Sequence, residues 1–211
     1  MDLHWDVLDE KRTELLPQFA LLKPEGFYLA GGTALALYLG HRDSIDFDFF
    51  KSESFDTGGL FENARKAFEG HRVVKTQEEK DTLSVVIDKD VRVSFFSFPY
   101  PLINRSINTE YFPIASIEDI ACMKLSAITG RGAFKDYVDL FFILKMRTLE
   151  ELIGSLKKKM PALDPLLVLK SLVYFDDLQE EKIVFKMDPV SLIAIKRELT
   201  NRVREYEAKR S

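Results

Sequence analysis

Two neighbouring stretches decide how the chain is read: Phe27-Tyr28-Leu29-Ala30-Gly31-Gly32-Thr33-Ala34-Leu35-Ala36-Leu37-Tyr38-Leu39-Gly40 and Ser44-Ile45-Asp46-Phe47-Asp48-Phe49-Phe50. Phe27 to Ala30 is a short apolar strand, Gly31-Gly32 breaks it, and Thr33 to Leu39 forms a compact helix closed by Gly40. Ser44 to Phe50 then alternates as a second strand. Side chains on a strand alternate faces, so Asp46 and Asp48 project to one side about 7 Å apart while Phe47 and Phe49 enter the core. Two carboxylates so close are costly to hold together unless a cation bridges them. Oxygen donors of this kind suit Mg²⁺, which also binds substrate phosphates. At the two glycines a backbone without Cβ can approach a ligand closely, and the amides at the start of the Thr33 helix, aided by its dipole, can accept a triphosphate. A phosphate cradle beside a metal-binding carboxylate pair is the apparatus of phosphoryl or nucleotidyl transfer. Gly-Gly alone would be an ordinary turn and Asp-x-Asp alone a solvated strand face; their order on strand, turn, helix and strand favours the chemical reading.

Working outward, Leu15, Phe19, Leu21 and Leu22 suggest an opening helix ended by Pro24 and Gly26. Leu60 to Phe68 reads as a helix, and Leu83 to Ile87 and Val91 to Phe98 flank Asp88-Lys89-Asp90 as the arms of a hairpin. Pro99 and Pro101 end the strand-forming half. From Ser116 the pattern is helical: Ser116 is a good N-cap with Asp119 three residues later, and Ile120, Met123, Lys124 and Ala127 begin a helical face. Gly130-Arg131-Gly132 interrupts it, and Asp136 to Leu144, Leu152 to Leu156, Pro165 to Val173 and Val190 to Tyr206 supply further helices. The expected class is α+β. Residues 1–115 form a nucleotidyltransferase core, a small mixed β-sheet with helices, and residues 116–211 a C-terminal helical domain completing the cleft.

Composition narrows the class of function. Across 211 residues the hydrophobic share is 46%, which excludes intrinsic disorder, and 30 basic against 34 acidic residues leave a formal charge of -4. No overall basic field recruits polyanions, so any nucleic-acid site must be local. The charge is uneven, however: residues 1–144 hold 16 basic and 23 acidic side chains, residues 145–211 hold 14 and 11. Lys157-Lys158-Lys159, Lys196-Arg197, Arg202, Arg204 and Lys209-Arg210 make the tail locally basic, although acids interleave and such runs are ordinarily solvated faces. The single cysteine, Cys122, lies in an apolar run and reads as core. It has no intramolecular disulfide partner, and His4, His41 and His71 lack metal-ligand spacing. No apolar stretch approaches membrane-spanning length and the N-terminus lacks a signal-peptide pattern, so the expected setting is the cytoplasm, with no membrane partner.

Gly31-Gly32-Thr33 through Asp46-Phe47-Asp48 resembles the Gly-Gly/Ser and Asp-x-Asp signature of the DNA polymerase β nucleotidyltransferase superfamily. More narrowly, Leu29 to Leu37 with His41-Arg42-Asp43-Ser44-Ile45-Asp46-Phe47-Asp48-Phe49-Phe50 is similar to the AbiEii/AbiGii toxin family. Lys124-Leu125-Ser126-Ala127-Ile128, Arg131 to Leu140 and Leu172 to Asp177 extend the likeness over most of the chain. The resemblance implies transfer of a nucleotide from an NTP, with tRNA 3′ ends as acceptors in some members, by a toxin paired with a cognate antitoxin or serving phage defence. It implies Asp46 and Asp48 as metal ligands and catalytic carboxylates. Gly31, Gly32, Thr33, Arg42 and Lys135 would bind the nucleotide, and Lys124 and Asp136 would be catalytic.

One departure stands out. The wider superfamily often places a third carboxylate on a later strand; here the corresponding position, between Val93 and Phe95, is Ser94. Asp136 or Asp139 is the candidate substitute from the helical half. Lys124 by itself would read as a surface lysine, and Lys135 with Asp139 as an i,i+4 pair that leaves Asp136 unexplained. Tyr174-Phe175-Asp176-Asp177 is more simply a helix end whose acids face water. Two other functional classes stay open: a nucleotidyltransferase that modifies a small-molecule hydroxyl, and a catalytically inactive NTP-binding or interaction module.

Overall fold

The computed structural model describes residues 2–210. The chain divides into two compact units, one of Met1–Pro101 with Arg105–Ser116 and the other of Leu102–Asn104 with Ile117–Ser211.

The first unit opens with α1 (Glu10–Glu14) and α2 (Leu16–Phe19), followed by a 3₁₀ turn over Ala20–Glu25. The single opening helix expected here is therefore broken. Pro17 starts α2 at a position where its missing N–H is harmless, Pro24 tightens the end, and Gly26 leaves the turn at φ +78°. Leu15, Phe19 and Leu22 are buried, but Leu21 points to solvent.

Seven strands follow around α3 (Gly31–Leu39) and α4 (Thr57–Ala67): β1 (Tyr28–Ala30), β2 (Asp46–Lys51), β3 (Val73–Glu79), β4 (Thr82–Ile87), β5 (Val91–Ser97), β6 (Ile107–Asn108) and β7 (Pro113–Ile114). They lie in the order β3-β4-β5-β2-β1-β7-β6. β2 runs antiparallel to β1 and parallel to β5, so the sheet is mixed. The β4 and β5 hairpin turns through Asp88 and Lys89, both at positive φ, as a tight turn between right-twisted strands requires. The edge strand β3 is a finding rather than an expectation. Its sequence, Val-Val-Lys-Thr-Gln-Glu-Glu, is polar and almost wholly exposed, because an edge strand pairs on one side and carries charges that discourage further pairing.

Alternation in β2 produces the core. Phe47 and Phe49 pair in register with Val93 and Phe95, all buried. Phe19 lies 4.7 Å from Phe47, 5.4 Å from Phe49 and 5.1 Å from Phe68, ring centre to ring centre. Such aromatic packing adds about 0.5–1.5 kcal/mol per pair to ordinary burial. The opposite face carries Asp46, Asp48, Arg92 and Ser94.

The second unit is helical: α5 (Ile117–Gly130), α6 (Phe134–Ile143), α7 (Leu149–Lys159), α8 (Pro165–Leu172) and α9 (Leu192–Ala208). Asp119, in the first turn of α5, is buried in the core. Its carboxylate accepts from the amides of Ile103 (2.9 Å) and Asn104 (3.2 Å) and from Lys159 Nζ (2.7 Å). Lys159 is consequently fully buried, so one member of the basic run Lys157-Lys158-Lys159 is structural and not part of a solvated face. α7 starts at a capping box formed by Thr148 and Glu151. No helix among the described residues is long and apolar enough to cross a membrane.

Candidate active site

The register of the sheet places one carboxylate at the start of a helix. Ala30, the last residue of β1, pairs with Asp48, and Asp48 pairs on its other side with Ser94. The chain leaves Ala30 directly into α3, whose N-cap offers no side-chain hydrogen bond. Asp48 therefore stands beside the first turn of α3, where the helix dipole favours negative charge. Asp46, two residues earlier, shares its sheet face, and both are only partly covered.

The glycines open space, but the protein's own side chains fill part of it. Gly31 lies at φ +69°, a conformation that side chains disfavour, and a Cβ there would meet Asp48 Oδ2 at 3.2 Å. A Cβ on Gly32 would come within 2.5 Å of Arg42 Nη2. The first turn is thus built to admit a carboxylate and a guanidinium, whereas the sequence suggested close approach of a ligand alone. Arg42 is buried, and its Nη1 donates to the Asp43 carbonyl at 3.0 Å. Thr33 is also buried. Its Oγ1 lies 2.7 Å from Ser44 Oγ and donates to the Asp46 carbonyl, tying α3 to the entry of β2.

Ser94, at the strand position where the wider superfamily often carries a third carboxylate, is buried and accepts a hydrogen bond from Ser84 Oγ at 3.1 Å. A serine pair thus occupies the position beside Asp48. Arg92, in register with Asp46 and exposed, is a neighbouring cation that the sequence reading passed over; the only signal was its alternation with Val91 and Val93. Among the described residues, no three His, Cys, Asp or Glu side chains gather into a cation site. Two carboxylates on one face beside an uncapped helix start still fit Mg²⁺, which commonly takes one or two carboxylates and completes its shell with phosphate and water.

In the second unit Lys124 is buried, and its surface reading is overturned. On α6 the i,i+3 spacing brings Asp136 and Asp139 to one face, and Lys124 Nζ donates to Asp136 Oδ1 at 2.7 Å and lies 2.6 Å from Asp139 Oδ2. Asp139, matched in sequence with the half-buried Lys135, thus has Lys124 as a close partner. Burial by itself would lower the Lys124 pKa, but Asp139 and Asp136 outweigh it and hold the ammonium above its ordinary value. Asp136 is held by this ion pair through Oδ1. Its second oxygen, Oδ2, is buried without a hydrogen-bond partner and lies 4.0 Å from Arg131 Nη2. A buried acceptor in that state carries a desolvation penalty that a donor from a ligand would relieve.

Similarity to known proteins agrees with this architecture. A curated but uncharacterised protein of Aquifex aeolicus is 44% identical over 161 residues, 74% of this chain and 76% of its own. MenT4, a nucleotidyltransferase toxin of Mycobacterium tuberculosis, superposes with a TM-score of 0.62 at 17% identity, covering 90% of this chain and 80% of MenT4. JHP933 of Helicobacter pylori superposes at 0.53 with 17% identity, covering 97% of this chain and all of that one. Residues 19–183 match the family described as nucleotidyl transferase AbiEii toxin of type IV toxin–antitoxin systems, and the chain belongs to that family of nucleotidyltransferases.

Proposed function

We propose that this nucleotidyltransferase uses Mg²⁺ to move an NMP from an NTP to a hydroxyl of RNA, with tRNA as the preferred acceptor. We further propose that it does so in the cytoplasm as the toxin of a toxin–antitoxin or phage-defence pair. The observation that carries the reading is the register that sets Asp48 beside the Gly31 turn, with Asp46 on the same face, in a chain of this family. Asp46 and Asp48 would hold the cation, which when bound would polarise the α-phosphate and neutralise the departing pyrophosphate. The first-turn amides of α3 and the Arg42 guanidinium offer donors and positive charge to the triphosphate. Gly31, Gly32 and Thr33 serve this turn indirectly: the glycines admit Asp48 and Arg42, and Thr33 fixes the helix on β2. In the second unit, Lys124 and Asp136 are assigned to the reaction, with Lys124 cationic and Asp136 Oδ2 able to accept a proton or a hydrogen bond from an incoming hydroxyl. Lys135 is assigned to nucleotide charge.

The experiment is incubation of the purified protein with total RNA, each α-labelled NTP in turn and Mg²⁺. Label incorporated into RNA with one preferred NTP, abolished by EDTA, is the expected result. Transfer only to small-molecule hydroxyls would replace the RNA reading with an antibiotic-type one. NTP binding without any transfer would favour an inactive binding module.

A further inference from the structure

The segment Tyr174 to Asp177 has no part in the proposed chemistry, yet it closes a defined cavity within the helical unit. The cavity, of about 200 Å³, lies where the Gly130-Arg131-Gly132 turn between α5 and α6 faces the end of α8. Arg131, Tyr137, Ser171, Tyr174 and Asp177 bring its polar groups. Its walls are fixed by specific contacts. Tyr137 Oη lies 3.0 Å from the Ser171 carbonyl and 3.1 Å from that of Tyr174, bridging α6 to the segment that leaves α8. Gly132, at φ +53°, lets the turn press against the Tyr137 ring, since a Cβ there would meet Tyr137 Oη at 3.4 Å.

Three features define what would fit. Tyr174 is 53% exposed, and its ring is held in place by its own hydroxyl, which donates to Asp177 Oδ2 at 3.0 Å. That bond uses one carboxylate oxygen of Asp177, and a carboxylate accepts at two, so Oδ1 can receive an N–H from a ligand. Arg131, with 70% of its side chain exposed, supplies a cation at the turn. The volume is below that of pockets that enclose whole drug-sized molecules, so it suits a single ring system with the rest of the ligand outside. A flat ring on tyrosine, an amino donor for a carboxylate and an anion for arginine describe an unpaired nucleotide whose base carries an exocyclic amine.

We infer that this cavity seats one unpaired base of the RNA acceptor, stacked on Tyr174, with its amino edge on Asp177 and its phosphate on Arg131. The inference rests on the RNA-acceptor reading above, but its test needs no turnover. Asp46→Asn/Asp48→Asn protein, in which the proposed donor site is disabled, is titrated by NMR and calorimetry without NTP. The probes are CMP, AMP, GMP and UMP, and short single-stranded RNAs ending in each base. Binding of amino-bearing bases at least fivefold tighter than UMP is expected, with tenfold or greater loss in Tyr174→Ala. Asp177→Asn should erase the base preference, and Arg131→Ala should weaken nucleotides but not free nucleosides. Unchanged affinity in Tyr174→Ala, or no binding of any probe by folded protein at millimolar concentration, overturns the cavity assignment even if wild type labels RNA. Intact base binding together with no transfer by the wild-type protein would instead overturn the enzymatic reading.

Discussion

Asp48 Oδ2 stands 3.2 Å from the point where a β-carbon on Gly31 would lie, so the turn that starts α3 and the carboxylate of β2 are shaped to each other. Gly31→Ala must then meet two demands, a positive φ and displacement of Asp48. The left-handed conformation costs a non-glycine residue about 1–2 kcal/mol. The variant should melt lower and lose NTP transfer beyond its loss of stability. A variant with full transfer and unchanged melting would show that this contact does not matter.

Asp46 and Asp48 are partly exposed on one face, and neither fills the core, so their amides should be tolerated. Asp46→Asn and Asp48→Asn are expected to fold and melt close to wild type. They should lose the Mg²⁺-dependent part of NTP stabilisation, which for wild type reaches about 2.7 kcal/mol with ligand a hundredfold above its dissociation constant. Thermal melting with NTP, with and without EDTA, reads this directly, and NTP stabilisation insensitive to EDTA in wild type would sink the metal assignment.

The buried set of Lys124, Asp136 and Asp139 separates charge from stability. Lys124→Met leaves two buried carboxylates without their cation and should destabilise by about 3–5 kcal/mol. Because the folded-state pKa of Lys124 is raised above 10.5, its contribution is complete below that pH and fades as pH climbs through the folded value. The stability gap between wild type and Lys124→Met should therefore hold from neutral pH to about pH 10 and narrow above 10.5. Asp136→Asn keeps Asp139 beside Lys124, so it should fold while transfer falls by about 10²–10³-fold, as for loss of one preorganised polar group. Denaturant titrations across pH, alongside transfer assays, check both.

Cys122 is fully buried, and burial, with Asp119 adding to it, pushes its thiol up to about 12. The thiolate is the reactive form, so native protein at pH 8 should resist alkylation and react only on opening. Labelling that is as fast in buffer as in denaturant would contradict this packing.

How much of this was legible in sequence follows from the range of each interaction. Strand, turn, helix and strand around Gly31 and Asp46 could be read because alternation and glycine punctuation act over a few residues. β3 could not, since its polar residues take strand form only by pairing with β4. The burial of Lys124 and Lys159 was equally hidden: each is offset by an acid 12 to 40 positions away, and nothing local distinguishes a lysine that meets such a partner from one in water. Arg42 on Gly32 is an intermediate case. Its charge is visible in the sequence, but the reason for the glycine beside it lies in the packing.

Ser94 provides the sharpest separation between structural and catalytic roles. It lies in register with Asp48, one strand away on the same face, and its partner is Ser84 at 3.1 Å. If the two carboxylates of β2 suffice for the cation, Ser94→Ala should cost only the buried hydrogen bond, about 0.5–1.5 kcal/mol, and leave transfer unchanged. Ser94→Asp makes the opposite demand, adding a third carboxylate beside Asp48 in a buried position with Ser84 as its hydrogen-bond donor. Without a divalent cation, like-charge repulsion and burial should lower its melting temperature below that of Ser94→Ala. With millimolar Mg²⁺, the added oxygen donor should restore more stability than the same ion gives wild type. An equal Mg²⁺ response in Ser94→Asp and wild type would mean that the ion does not bind at this end of β2, and the pairing of Asp46 with Asp48 would lose its chemical meaning.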